Sequence, residues 1–281
     1  MTSGFLTLAT VRPDAAGRPV VRARHRVVDL AAYSRFKYGD GLVAVELASA
    51  LASLAARVPR LLSDPRGFLV AVPGYDVAPP AAASLLAPFL GELGASHPYP
   101  SPPRAAVRVR RRRASPSDFA AMSHAQRGLA LRATDLEVVD DVRGRTVVVL
   151  DDVRVTGTHE RAMTDALRSA GAGRIIHLYV LSTGGDDPTI EARINAVAVR
   201  TVADMAALAR MAGYVPNARV LRALMTASAA EVEDFCASVP ESVRRWVEET
   251  VRTDTLGAAP ANRAGAERVL DVLRGAWAAG A

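Results

Sequence analysis

Asp151 and Asp152 stand side by side where an apolar run, Val147-Val148-Val149-Leu150, gives way to Val153-Arg154-Val155-Thr156-Gly157-Thr158-His159. Paired carboxylates accept hydrogen bonds from sugar hydroxyls and stabilise developing positive charge. The Thr-Gly-Thr turn offers hydroxyls and backbone N–H groups to an anion. A helix expected over residues 160–170 adds the positive end of its dipole. A phosphorylated sugar would use both features at once. The elements that must hold them follow from the pattern. An apolar run of this length, bounded by turn signals, reads as a buried parallel strand. Ligands of open parallel sheets bind at the carboxyl ends of strands, so the acid pair is expected at a crevice.

Residues 147–157 resemble the signature of the type I phosphoribosyltransferases: four apolar residues, two acids, three variable residues, then Thr-Gly and a small or hydroxyl-bearing pair. His159 departs from the Thr or Ser that usually ends this loop. Val155 stands where 6-oxopurine enzymes carry an Asp as the proposed acid/base, which argues against a hypoxanthine or guanine substrate. The chain as a whole resembles the phosphoribosyltransferase-like proteins found with bacterial stress or tellurite-resistance biosynthetic clusters.

The resemblance covers about residues 35 to 200. It implies a site for 5-phosphoribosyl 1-diphosphate and Mg²⁺, with transfer of the phosphoribosyl group to, or from, a nitrogenous base or nucleoside-like metabolite. Asp151 and Asp152 would orient the ribose and contact Mg²⁺ indirectly, through hydroxyls and bound water. Val155, Thr156, Gly157, Thr158 and His159 would hold the 5-phosphate. Lys37, Gly74, Tyr75, Arg104 and Arg113 would meet the diphosphate, and Arg127 would join Asp151 and Asp152 in catalysis. Competence-associated relatives place an Arg and a Ser or Gln in a short helix after a flexible loop; Ser123, Gln126 and Arg127 occupy comparable positions. Closure of such a loop excludes water. The resemblance leaves the acceptor and the direction of reaction open. It also admits a catalytically inactive sensor of phosphoribosyl diphosphate or nucleotides, whose arginine run contacts nucleic acid.

The fold class expected is α/β: a phosphoribosyltransferase-like parallel sheet flanked by helices, with amino-terminal hood strands and a carboxy-terminal helical extension. Residues 1–34 read as hood strands around an Asp14-Ala15-Ala16-Gly17 turn. Residues 35–204 read as the core. Asp40 is a candidate N-cap for a helix over 41–57. Gly67–Val72 is expected as a first buried strand, followed by a loop at Gly74 and Tyr75, where glycine permits a close backbone approach. Arg104, Arg108 and Arg110 to Arg113 form a basic run with no aromatic interleaving to stack RNA bases. Leu136–Val139 and Arg174–Leu181 are expected strands, His177 being a core or sheet-face residue of the second. Asn195–Val199 reads as a final strand or connector. Residues 205–281 read as helices that serve core packing or a homodimer surface, with a capping box at Ser228 and Glu231.

Composition agrees with a globular chain. Of 281 residues, 50% are hydrophobic and 23% charged, with net charge +6 and a pI near 10.1. Much of the excess charge is the local arginine run, so it does not by itself imply nucleic acid. A single cysteine, Cys236, excludes an internal disulfide and fits a reducing cytoplasm. No basic region with an apolar core opens the sequence, so no signal peptide is expected. The stretch 42–58 is interrupted by Glu46 and Arg57 and is too short to span a membrane.

Overall fold

The computed structural model describes residues 4–58, 61, 67–96, 105–112, 133–184, 187 and 189–279. At its centre lies β7 (Thr146–Arg154), buried from Thr146 through Asp152. A strand buried on both faces needs parallel neighbours and covering helices. Its neighbours are β3 (Phe68–Ala71), with Ala71 opposite Val149, and β8 (Arg174–Thr183), with Tyr179 opposite Asp151. Among the described residues, six strands form one sheet in the order β2-β1-β8-β7-β3-β4, where β1 is Gly4–Pro13, β2 Pro19–Ala23 and β4 Ala105–Val107. All its neighbours pair in parallel except β1 and β2. The fold is therefore α/β with a mostly parallel sheet flanked by helices.

The chain leaves β3 toward β4 on one side and leaves β7 toward β8 on the other. The loops after β3 and β7 thus part at a switch point, which opens a crevice at their carboxyl ends.

Alternation along β7 divides the core. Val148 and Leu150 pack with α2 (Gly41–Ala55) and α3 (Leu86–Ser96), through Leu47, Leu51, Phe89 and Leu93. Val147 and Val149 pack with Met163 and Leu167 of α4 (Thr158–Ser169). Each such side chain, fully buried, contributes about 1.5–3 kcal/mol. Asp29 caps α1 (Leu30–Lys37) and Asp40 caps α2, accepting from Val43 N at 3.1 Å. The later helices α6 (Val202–Ala209), α7 (Ala218–Thr226), α8 (Ala229–Ser238), α9 (Glu241–Thr253), α10 (Thr255–Ala258) and α11 (Arg263–Ala279) share a cluster built on Leu221, Leu224, Phe235, Val247 and Val269. The capping box of Ser228 and Glu231 starts α8.

Several expectations are corrected. The amino-terminal hairpin is not a hood over the crevice: β1 joins the sheet beside β8. Thr7, Leu8 and Ala9 are all buried, and consecutive burial puts both strand faces against the protein. Residues 195–199 form no strand; Asn195 ends the short helix α5 (Ile190–Asn195), and the turn after it is held by Ser34 Oγ, which accepts from Ala198 N and Val199 N. The expected short strand at Leu136–Val139 does form, over Leu136–Val138 (β6), and pairs antiparallel with β5 (Val109–Arg111). The central strand continues two residues past the acid pair, to Arg154.

Candidate functional site

Asp151 and Asp152 are neighbours on a strand, so their side chains leave opposite faces of the sheet. Asp152 faces α1, whose last residue, Lys37, places Nζ 2.6 Å from Asp152 Oδ2. Lys37 is buried, and its Nζ also lies 3.9 Å from Glu191 Oε1. Arg219 of α7 lies 3.7 Å from the same Glu191 oxygen. A chain of alternating charge therefore runs from α7 through Glu191 and Lys37 to Asp152. Asp151 bends back, its Oδ1 accepting from Asp152 N at 2.8 Å. Burial, and then the charge of Asp152, push the Asp151 carboxyl well above the ordinary range.

The turn after β7 is built for a special backbone. Gly157 caps α4 in the left-handed conformation, φ 71° and ψ 11°, and contributes no side-chain cap. That conformation favours glycine. Thr156 Oγ1 and Thr158 Oγ1 lie 3.0 Å apart across it. Arg161 donates to Thr156 O and to Thr158 Oγ1, each at 3.3 Å, adding positive charge beside the helix N-terminus. Arg154 and Glu160 flank the turn as a 2.6 Å pair. Val155 is 4% exposed and carries no ionisable group.

The loop after β3 rests on β5 and β6. A Cβ at Gly74 would sit 2.8 Å from Leu136 Cδ2 and 3.1 Å from Val109 Cγ1. A side chain here would have to displace the Leu136 methyl, so the packing is close at this glycine. Tyr75 N donates to Val109 O at 3.3 Å, and Arg111 N to Tyr75 O at 3.1 Å. From the other side Asp254 Oδ2 accepts from Val77 N at 2.8 Å and Ala78 N at 2.6 Å, while Asp76 Oδ2 accepts from Thr255 N at 3.2 Å. Asp254 also caps α10 through Leu256 N.

These pieces close on one cavity of about 190 Å³. Lys37, Gly74, Tyr75, Asp151, Asp152 and all of Val155 to His159 line it, as expected from the sequence. Arg104, Arg113 and Arg127, with Ser123 and Gln126, lie outside the described residues. Arg111 of the basic run is on the wall, as are residues the sequence did not point to: Tyr179, Glu191, Arg219, Arg222 and Asp254. The carboxy-terminal helices, expected to serve packing or a dimer surface, therefore also line the cavity. A signal existed in Asn217, a helix N-cap followed by Arg219 and Arg222 on one helix face, opposite Val220, Leu221 and Leu224. Nothing local tied that face to Asp152.

Among the described residues no cluster of three His, Cys, Asp or Glu converges to hold a metal directly. One oxygen of Asp152 faces Lys37 and one of Asp151 faces the Asp152 amide. The remaining carboxylate oxygens suit contact through sugar hydroxyls or water, which is how Mg²⁺ often meets proteins. Among the described residues no helix is long and apolar enough to cross a membrane.

A family model described as PRTase ComF-like matches residues 23–248. Two solved structures of a hypoxanthine phosphoribosyltransferase from Staphylococcus aureus are similar to the chain. The tetragonal form is 16% identical over 51% of this chain and 68% of that one, with a TM-score of 0.31. The orthorhombic form is 14% identical over 51% and 69%, with a TM-score of 0.31. Comparison with curated proteins finds no match.

Proposed function

Since the chain belongs to the ComF-like phosphoribosyltransferases, we propose that it binds 5-phosphoribosyl 1-diphosphate with Mg²⁺. It transfers the phosphoribosyl group to, or from, a nitrogenous base or nucleoside-like metabolite. One observation carries this reading: the acid pair, the Thr156–His159 turn and the Gly74–Tyr75 loop line the same cavity.

In this reading the ribose 5-phosphate sits on the turn, held by the Thr156 and Thr158 hydroxyls and the first amides of α4, with Arg161 adding charge. Asp151 and Asp152 take the ribose hydroxyls. Lys37 fixes the Asp152 carboxylate in one orientation, so the pair is preorganised before substrate arrives. As diphosphate departs, the anomeric carbon gains oxocarbenium character, and the Asp152 charge faces it. Burial, and then the Asp152 charge, raise the Asp151 carboxyl, whose Oδ1 accepts from the Asp152 amide. Asp151 and Asp152 would hold Mg²⁺ indirectly, through hydroxyls or bound water, and the ion would supply positive charge to offset that of the leaving group. The cavity's apolar floor, Val153 and Val155, limits water near the reacting carbon.

Val155 favours a second reading, a sensor that binds the same ligand without turnover, because no proton-transfer group stands at that position. Calorimetry with 5-phosphoribosyl 1-diphosphate, with and without Mg²⁺, tests the first step. Mg²⁺-dependent binding that disappears in Asp151→Asn/Asp152→Asn supports the site; no binding by folded wild type overturns it. Diphosphate release on addition of bases then separates transferase from sensor.

A further inference from the structure

The loop that follows β3 commits three of its amides inside the protein. Tyr75 N goes to Val109 O, and Val77 N and Ala78 N go to the Asp254 carboxylate. Three amides of this loop are thus committed within the protein, which leaves side chains on the wall as the further partners for an anion at this end of the cavity. Two guanidinium groups line the wall here: Arg111, whose backbone is bonded to Tyr75, and Arg222, on α7.

We propose that Arg111 and Arg222 form a second anion subsite, beside the loop after β3, which receives the diphosphate of the sugar ligand. The carboxy-terminal helices thereby supply a substrate-binding residue. The diphosphate assignment rests on the phosphoribosyl reading above; the anion subsite itself does not.

Three observations support the pair. Both side chains face the same cavity, and their elements are fastened together there. Ala218 N, at the start of α7, donates to Pro79 O at 2.9 Å, and Arg111 N donates to Tyr75 O at 3.1 Å, so both elements are bonded to the loop after β3. Two guanidiniums held near one another repel, a cost that a bound dianion reverses. Burial first, and then the Arg222 charge, lower Arg111 to about 10, against the opposing charges of Asp135 and Asp254. It stays cationic at neutral pH. The forked donors of arginine match phosphate oxygens in pairs, which lysine does not reproduce.

The test is calorimetric titration of wild type, Arg222→Gln and Arg222→Lys with three probes: inorganic diphosphate, 5-phosphoribosyl 1-diphosphate and ribose 5-phosphate. Arg222→Gln is expected to weaken inorganic diphosphate and the sugar diphosphate by a similar factor, about ten- to hundredfold, for loss of a charge-assisted contact. Ribose 5-phosphate should change by less than about twofold, since its anion sits on the Thr156–His159 turn, and Arg222→Lys should fall between. Equal weakening of ribose 5-phosphate, or no change with either diphosphate, overturns the subsite. Wild type that binds inorganic diphosphate through Arg222 but neither sugar phosphate keeps the subsite and sinks the phosphoribosyl reading. Wild type that binds no diphosphate sinks the subsite. Should Arg222→Gln fail to fold in a thermal melt, Arg222→Lys carries the comparison by the same criteria.

Discussion

Lys37 Nζ and Asp152 Oδ2 meet at 2.6 Å across 115 residues of chain, both largely out of water. Breaking such a buried pair leaves a charge that neither water nor a partner compensates, at about 3–5 kcal/mol. Lys37→Met is expected to lose that much in urea unfolding. Lys37→Met/Asp152→Asn should recover a large part, because no orphan carboxylate remains. If the double variant is no more stable than the single, the charge pair is not what holds α1 against β7.

Gly157 has φ 71°, and a Cβ there would sit 2.9 Å from an Arg154 terminal nitrogen. Gly157→Ala should cost about 1–2 kcal/mol for the left-handed backbone. Ribose 5-phosphate binding, read by calorimetry, should weaken more than inorganic diphosphate binding. Equal effects on both probes would separate the turn from the 5-phosphate.

His177 is 1% exposed, with Nε2 2.8 Å from Thr164 Oγ1. Burial lowers it to about 4. The unfolded chain takes up this proton near pH 6.5, whereas the folded chain resists it until about pH 4. Stability is therefore full above about pH 6.5 and falls as pH drops toward 4, by up to about 3 kcal/mol. Unfolding midpoints measured across that window should flatten in His177→Gln. An unchanged slope would assign the acid sensitivity to other groups.

Asp254 holds the amides of Val77 and Ala78. Bonds from an amide to a buried carboxylate contribute about 1.5–3 kcal/mol. Asp254→Ala should raise hydrogen exchange at those two amides more than at the β3 amides, and should weaken inorganic diphosphate binding by loosening the wall beside Arg111. Retained protection at residues 77 and 78 would show that the loop is held from β5 alone.

Local chemistry made much of this readable. The valine run, the acids that follow it and the Thr-Gly-Thr turn declare their strand, crevice and helix in consecutive residues. Asp40 and Ser228 announce their helices through capping alone. What escaped depends on distance. β1 looked like half of a free hairpin because its partner, β8, lies far along the chain. Gly74 looked like a site for ligand approach, and only the arrival of Leu136 and Val109 reveals a packing constraint. Glu191 and Arg219 are ordinary helix-surface residues until Lys37 is placed beside them. Arg222 carries no local mark of its own.

The cavity wall draws on Lys37 near one end of the sequence and on Leu256 near the other. On a ribosome, roughly 100 residues separate synthesis of the acid pair from that of the last wall residues, about 5–20 s of elongation. During that interval the nascent chain carries its signature acids without the α7 and α10 side of their enclosure. The acid pair and the α7 and α10 side of its enclosure are thus made at different times, and the cavity has this wall only once the segment around Leu256 has folded into place.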